Sequence, residues 1–251
     1  MDTINILWRS MKWRFQNPIS ILLTIIQPLI WLVLYSAIAG ESMQNMSGGN
    51  YTAFILPGIM VLVTLSCCSS GGYLNFIAKS KGSFYRILIA PVKRHSIVLG
   101  QMLDSVLLSF IEIAIMFILS LFLSVRIASG FTGLFLMLPL IFLAAFFMSG
   151  LSYAISLCLP NEVIYETIMN LIVLSIFFTS TALFPMESIC GILKIAVMIN
   201  PFTHIINCLR SLILGTSIDW QNLLLVTIVF ICLSLGSFIL ALWKLKKETV
   251  I

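Results

Sequence analysis

Residues 79–101, KSKGSFYRILIAPVKRHSIVLGQ, decide how this chain is organised, because they form a short basic segment between two apolar runs of membrane length. The flanking runs, residues 53–77 and 98–123, are each long enough to cross a hydrocarbon core of about 30 Å as a helix. A simple turn between two spans would not need a partly amphipathic, basic segment. We therefore interpret it as a structured docking surface on the cytoplasmic side of a membrane.

Composition excludes a water-soluble globular protein. Hydrophobic residues make up 60% of the chain and charged residues 9%, and the mean hydropathy is +1.12. This leaves too little polar surface to cover a soluble fold. Backbone groups in lipid must be paired within the segment, and strand-length alternating segments are absent, so we expect an all-α membrane protein.

Six apolar runs are long enough to be transmembrane helices. We place them at residues 19–39, 53–77, 98–123, 131–157, 163–183 and 223–243. The segments between them are short and contain no low-complexity linker, so residues 1–251 are predicted to form a single membrane domain. Residues 1–17 precede the first span, residues 184–222 separate the fifth from the sixth, and residues 244–251 form a tail.

The basic residues predict the orientation. If the N-terminus is cytoplasmic, eleven of the 14 Lys and Arg residues lie on the inside, which is the positive-inside pattern. We therefore expect a multi-pass protein of the inner (cytoplasmic) membrane with both termini in the cytoplasm. Anionic membrane lipids are sufficient to balance the net charge of +5, so we expect no nucleic-acid partner.

The N-terminal segment predicts an interfacial helix. Leu7, Met11 and Phe15 recur at spacings of four, while Arg9 and Lys12 lie off that stripe. Such a helix lies in the plane of the headgroups. It can serve only as an anchor or can also touch a partner, and the sequence leaves both open.

The segment between the fifth and sixth spans predicts two short helices. Residues 189–199 are mostly apolar, Asn200-Pro201 interrupts them, and residues 202–214 are amphipathic and end at Gly215. Helices of this length reach only about 16–20 Å, which is too short to cross. We predict a re-entrant or interfacial helical hairpin on the outer face, in which a disulfide between Cys190 and Cys208 is one option.

Two blocks of the sequence resemble the ABC-2 type permeases, which are membrane subunits of ATP-binding cassette transporters. They are KGSFYRILIAPVKRHSIVLGQ and, in the correct order, TSTALFPMESICGILKIAVMINPFTHIINCLRSLILG. The resemblance is greatest to small drug and antibiotic exporters. It implies a second permease copy or paralogue and two copies of a separate ABC ATPase subunit. ATP and Mg²⁺ would bind that partner, because this sequence has no GxxxxGK[ST] motif, so the chain is not an enzyme alone and binds no cofactor.

The resemblance also implies that residues 80–90 form the coupling helix, on which the ATPase acts. A second, smaller contact is expected at residues 160–166, and the alternative is a basic loop held only by lipid. The residues predicted to couple to the ATPase are Lys81, Gly82, Phe84, Arg86, Ile87, Leu88, Pro91, Glu162 and Glu166. We further predict that the hairpin closes the outer end of the translocation path, with Phe184, Pro185, Asn200, Pro201 and Arg210 as gate residues.

Ionisable residues at membrane depth are candidates for function. Asp104 and Glu112 both lie on the third span; Asp104 could pair with Lys93 or Arg94 near the cytoplasmic end. Glu112 is deeper, and either a structural contact or contact with substrate or protons is possible. Phe177 and Phe178 are further candidates for the path. No cysteine or histidine cluster predicts a metal site.

The function predicted is therefore export of an amphiphilic substrate such as a drug, antibiotic, lipid or peptide. Export of a polysaccharide or lipid-linked glycan is the first alternative, and a secondary transporter is a weaker one because no internal repeat is evident. An intramembrane serine protease is disfavoured, since Gly150-Leu151-Ser152 is followed by Tyr153 instead of glycine.

Overall fold

In the computed structural model, all regular secondary structure of the described residues, which are 2–16, 26, 29–34, 51–122, 128–186, 190–215 and 219–248, is helical. The helices are α1 (Asp2–Gln16), α2 (Tyr51–Ser80), α3 (Ser83–Ile89), α4 (Arg94–Phe122), α5 (Gly130–Cys158), α6 (Glu162–Phe178), α7 (Ile192–Ile199), α8 (Pro201–Leu214) and α9 (Trp220–Glu248). Most of the first predicted span lies outside the described residues. Within that span, residues 29–34 are helical and Leu32 is fully buried.

Four described helices, α2, α4, α5 and α9, are long and apolar enough to cross a membrane. They coincide, within a few residues, with the second, third, fourth and sixth predicted spans. A fifth span is present if the pair α7 and α8, which is bent by 77°, counts as one broken span. The all-helical, multi-pass prediction is confirmed, while the count of six spans stays a prediction.

The fifth predicted span, 163–183, was too long, because α6 ends at Phe178. At 17 residues, α6 is about 25 Å long, at the lower limit for a span. The Thr179 hydroxyl donates to Ser175 O at 2.6 Å and the Ser180 hydroxyl donates to Phe177 O at 2.6 Å. These bonds lie at the C-terminal end of the helix, and the residues that follow form turns.

Helix α2 is the central element of the bundle. It contacts α4, α5, α6 and α8, and residues 51–61 are buried on every side. A helix that is apolar all round belongs in an interior. Gly72 permits a close approach of α5 and α6, since a Cβ atom there would lie 2.3 Å from both the Ser152 and the Tyr165 hydroxyl oxygens.

Polar side chains join the C-terminal halves of α2 and α5 to each other and to the first turn of α6. The Ser152 hydroxyl donates to Cys68 O at 2.7 Å, and the Tyr165 hydroxyl donates to Ser69 O at 2.9 Å. Asn75 Nδ2 donates to Ser156 Oγ at 2.7 Å. Small residues and interhelical hydrogen bonds are the means by which helices associate in lipid, where burial of apolar surface gives little advantage.

Candidate functional site

The short helix α3 lies between two long helices, as the sequence predicted. Gly82 precedes it with φ 75°, a left-handed conformation that favours glycine, and the Ser83 hydroxyl donates to Ala78 O at 3.0 Å. Ala90 is extended with ψ 147°, because the following Pro91 disfavours helix there. The helix is shorter than the predicted 80–90 because α2 itself continues to Ser80.

Three apolar residues predicted to couple to the ATPase, Phe84, Ile87 and Leu88, lie against the rest of the chain. Phe84 is only 1% exposed and packs in a cluster with Ile97 and Leu157, and Ile87 and Leu88 lie partly buried against that cluster. These three side chains therefore fix α3 to the rest of the chain instead of forming its exposed apolar face. The exposed residues of α3 are Ser83, Tyr85, Arg86 and Ile89. Because Ile89 is 85% exposed, it is the most prominent apolar group on this surface.

An ion pair ties together the helix ends near α3. Lys79 Nζ lies 2.8 Å from Glu248 Oε1, near the end of α9, and also donates to Leu157 O of α5 at 2.8 Å. The end of α2 is thereby joined to α5 and α9. Lys81, which is predicted to couple to the ATPase, is exposed at the turn into α3.

The second predicted contact region lies at the start of α6. Asn161 caps this helix, since its Oδ1 accepts from Val163 N at 3.1 Å. Glu162 accepts a hydrogen bond from the Tyr73 hydroxyl of α2, and Glu166 lies one turn further on. Both glutamates are exposed, so a role at a partner surface stays a prediction.

The predicted pairing of Asp104 with Lys93 or Arg94 is wrong. Arg14 Nε lies 2.9 Å from Asp104 Oδ2, and both side chains are more than nine-tenths buried. Lys93 and Arg94 are exposed instead. The reason is that α1 lies against α4 and so carries Arg14 to Asp104.

Close contact at one glycine allows α1 to approach α4. A Cβ atom at Gly100 would lie 2.8 Å from Ile6 Cγ2, so the glycine leaves room for this side chain. The residues of α1 that become buried are Ile6 and Arg14, whereas Phe15 of the predicted stripe is 60% exposed. Periodicity therefore predicted the helix, but not the face that packs on the protein.

The remaining membrane-depth candidates lie apart from this ion pair. Glu112 is 2% exposed on α4. On α6, Phe177 is buried and Phe178 is 58% exposed, with ring centroids 5.4 Å apart. The roles predicted for these three residues in the translocation path stay predictions.

The two helices predicted at 189–199 and 202–214 are present as α7 and α8, and Asn200 fastens the bend between them. Asn200 Oδ1 accepts from Phe202 N at 3.0 Å, while its Nδ2 donates to Ile176 O at 2.8 Å and Thr179 O at 3.0 Å. One side chain therefore caps α8, whose first residue is Pro201, and holds the bend against the end of α6.

The two hairpin helices differ in burial. One side of α8 is buried in the core, from Phe202 to Ile213, whereas α7 exposes most of its apolar side chains and buries only Val197. Phe184 is 47% exposed and Pro185 is half-buried. Cys190 and Cys208 are both free thiols, so the optional disulfide is not formed.

Arg210 joins α8 to α2, a contact that the sequence analysis missed. Its guanidinium carbon lies 3.7 Å from the centroid of the Phe54 ring. Nε donates to Phe54 O at 3.1 Å, Nη1 to Asn207 Oδ1 at 3.2 Å, and Nη2 to Thr181 O. The signal in the sequence was an arginine inside an amphipathic helix, but nothing there identified partners up to 156 residues away.

Long apolar helices, a short helix held between two of them and a bent helical pair at the other end of α2 define a multi-pass helical membrane protein. The ABC-2 type transporter family matches residues 2–214, so this chain belongs to that family of transporter membrane components. The resemblance found in the two sequence blocks is thereby confirmed.

Two of three similar proteins are transport permeases by name. The chain is 28% identical to "Putative transport permease ycf38" of Cyanophora paradoxa over 200 residues, which cover 78% of this chain and 69% of the relative. It is 25% identical to "Daunorubicin resistance ABC transporter permease protein DrrB1" of Streptomyces coeruleorubidus, covering 87% and 77%. It is also 23% identical to "Nodulation protein J" of Rhizobium leguminosarum bv. trifolii, covering 83% and 80%.

Proposed function

We propose that this chain is the permease subunit of an ATP-binding cassette exporter in the inner membrane, with both termini in the cytoplasm. Two ATPase subunits bind ATP and Mg²⁺, and a second permease chain, a copy or a paralogue, completes the translocation path. Family membership supports the transporter role. The observation that carries the coupling mechanism is α3, a short surface helix fixed by Phe84 that presents Tyr85, Arg86 and Ile89 outward.

An amphiphilic molecule is the proposed cargo. Support comes from the name of the daunorubicin resistance relative and from the apolar side chains that dominate the described helices. A path lined mainly by such side chains favours cargo with a large apolar portion, because few polar groups are present to pair with sugar hydroxyls.

Movement of α3 would be transmitted through α2. The inner end of α2 leads directly into α3 through Gly82, and its outer end holds the hairpin through Arg210 and through the Tyr51 hydroxyl, which donates to Leu183 O at 3.1 Å. A 30-residue helix is about 45 Å long. A push on α3 by the ATPase would therefore displace the hairpin at the other end of the same helix.

The test is Ile89→Asp, which places a carboxylate on the exposed apolar surface of α3. We expect co-purification of the co-expressed ATPase to fall by about 30-fold, as for the loss of a central interface anchor. Ile192→Asp is the matched control, since Ile192 of α7 is 86% exposed. It should leave ATPase retention unchanged.

Leu88→Asp is less suitable as a test, because Leu88 lies against the protein's own apolar cluster. That variant is expected to destabilise the permease itself. Wild-type ATPase retention and wild-type cargo-stimulated ATP hydrolysis in Ile89→Asp membranes would show that α3 is not the coupling element.

A further inference from the structure

A cavity of about 630 Å³ lies between α1, α2, α3 and α4, next to the coupling helix. Arg14 and Asp104 form its buried part, and Arg9 and Lys81 are the exposed cations that line it. Leu74 and Ile77 contribute an apolar wall. Its volume is in the range of cavities that bind small ligands.

The ion pair in this cavity is incompletely satisfied. Arg14 uses Nε to bind Asp104 Oδ2, which leaves Arg14 Nη2 and Asp104 Oδ1 buried without a hydrogen-bond partner among the described residues. A buried polar atom without a partner costs about 1–3 kcal/mol, more for a charged group. Both residues line the cavity, so a ligand there lies next to this incompletely satisfied ion pair.

The charge of the cavity selects the ligand. Arg9, Arg14 and Lys81 are cationic, whereas Asp104 is the one carboxylate among the described lining residues. An excess of cations favours an anion, and arginine matches phosphate oxygens through charge-assisted hydrogen bonds. The free Asp104 Oδ1 accepts a hydrogen bond, so the same ligand should also carry a donor such as a hydroxyl group.

We propose that this cavity binds the headgroup of an anionic phospholipid, with the phosphate on Arg14, Arg9 and Lys81 and a headgroup hydroxyl donating to Asp104. Phosphatidylglycerol has both groups. The helix that forms one wall, α1, exposes Trp8 by 71% and Phe15 by 60%, as expected of a helix lying at headgroup depth. The apolar wall then faces the start of the acyl chains.

The location beside α3 gives the lipid a function. Ser83 and Ile87 of the coupling helix also line the cavity, so a bound headgroup contacts α1 and α3 at once. The lipid would hold α3 in place relative to α1 and α4. The inference concerns lipid binding by the permease alone, so it can fail or succeed independently of the ATPase assignment.

The experiment measures retention of phosphatidylglycerol by native mass spectrometry of the full chain released from nanodiscs that contain phosphatidylglycerol and phosphatidylcholine. Arg9→Gln/Lys81→Gln should lower its retention by roughly 25-fold, from the contribution of each cation near a membrane surface. Lys93→Gln/Arg94→Gln is the matched control. It removes two exposed cations from the same loop region but outside the cavity, and should retain the lipid.

A second variant tests the buried part of the cavity. Arg14→Gln/Asp104→Asn replaces the ion pair by a neutral pair that can still hydrogen-bond, so the fold is preserved while the guanidinium is lost; retention of the lipid should fall about tenfold.

Soluble glycerol 3-phosphate tests whether the ligand is a lipid headgroup or a free phosphate ester. It should bind at least 100-fold more weakly than the lipid because it has no acyl chains. Equal loss in the cavity and control variants would overturn the site, and tight binding of the soluble ester would overturn the lipid assignment.

Discussion

Two buried arginines, Arg14 and Arg210, connect α1 and α8 to the bundle near opposite ends of α2. The two side chains have different kinds of partners. Arg14 pairs with a carboxylate, whereas Arg210 donates to two backbone carbonyls and an amide and lies over the Phe54 ring. The planar guanidinium makes several directed hydrogen bonds at once and can also stack on a ring. Lysine has the same charge but cannot reproduce that geometry.

Arg210→Lys therefore tests the contact between α8 and α2 at the level of a single residue. We expect a loss of about 1–3 kcal/mol in stability, seen as a lower midpoint of thermal unfolding in detergent, together with reduced export. Lys194→Ala, which removes an exposed cation from α7 of the same hairpin, should change neither. An unfolding midpoint for Arg210→Lys equal to that of the wild type would mean that the charge alone is sufficient.

At the scale of elements, the hairpin of α7 and α8 is held in position by a few specific contacts. Its two short helices meet at 77°, and Asn200 connects the bend to the last turn of α6 and to Thr179. Gly58 of α2 permits the adjoining segment to come close, since a Cβ atom there would lie 2.7 Å from Ala182 Cα. The position of the proposed outer gate thus depends on a few polar and steric contacts.

Asn200 performs two tasks that substitution can separate. Asn200→Ser keeps a good helix cap for α8, but serine is too short to reach Ile176 O. The loss in free energy of unfolding therefore measures the tether, that is, the hydrogen bonds from residue 200 to the end of α6. We expect a loss of about 1–2 kcal/mol. Asn200→Ala should lose about 1 kcal/mol more, because the cap is removed as well. Thermal unfolding of the purified variants provides the comparison. A serine variant as stable as the wild type would show that the tether contributes nothing.

For the whole molecule, the arrangement of the ends of α2 predicts on which side of the membrane each surface lies. The hairpin contacts one end of α2 and α3 follows the other, so the two surfaces should be on opposite sides. The basic residues predict that α3 lies in the cytoplasm. Ser47 and Ser188, which the predicted topology places on the outer side, are not among the described residues.

Exposed Cys190 and a Ser83→Cys substitution test this orientation. In a background where Cys158, Cys208 and Cys232 are serine, an impermeant maleimide should label Cys190 in intact cells but should not label position 83. Buried Cys67 and Cys68 can stay, because they are inaccessible. Position 83 should react only after the membrane is permeabilised. Labelling of position 83 in sealed cells would reverse the topology.

The sequence predicted those features that depend on local chemistry. The lengths of the apolar runs predicted the ends of α2, α4, α5 and α9 to within five residues. Gly82, Pro91, Asn200 and Pro201 marked real helix ends. The end of α6 at Phe178 was missed, because the apolar run from which the span was predicted continues to Leu183.

Long-range pairing could not be predicted in the same way. Arg14 and Asp104 are 90 residues apart, and Arg210 and Phe54 are 156 apart. Their pairing depends on how helices pack, which no local pattern contains. The burial of Phe84 on α3 could not be predicted for the same reason, because it depends on contacts with α4 and α5.

The ion pair between Lys79 and Glu248 sets an order of events during synthesis. The two residues are 169 positions apart, so Lys79 leaves the ribosome long before its partner exists. At translation rates of about 5–20 residues per second, the delay is roughly 10–30 s. The surface around α3 is therefore not completed until α9 has been inserted, and a nascent chain presents an unfinished version of it until then.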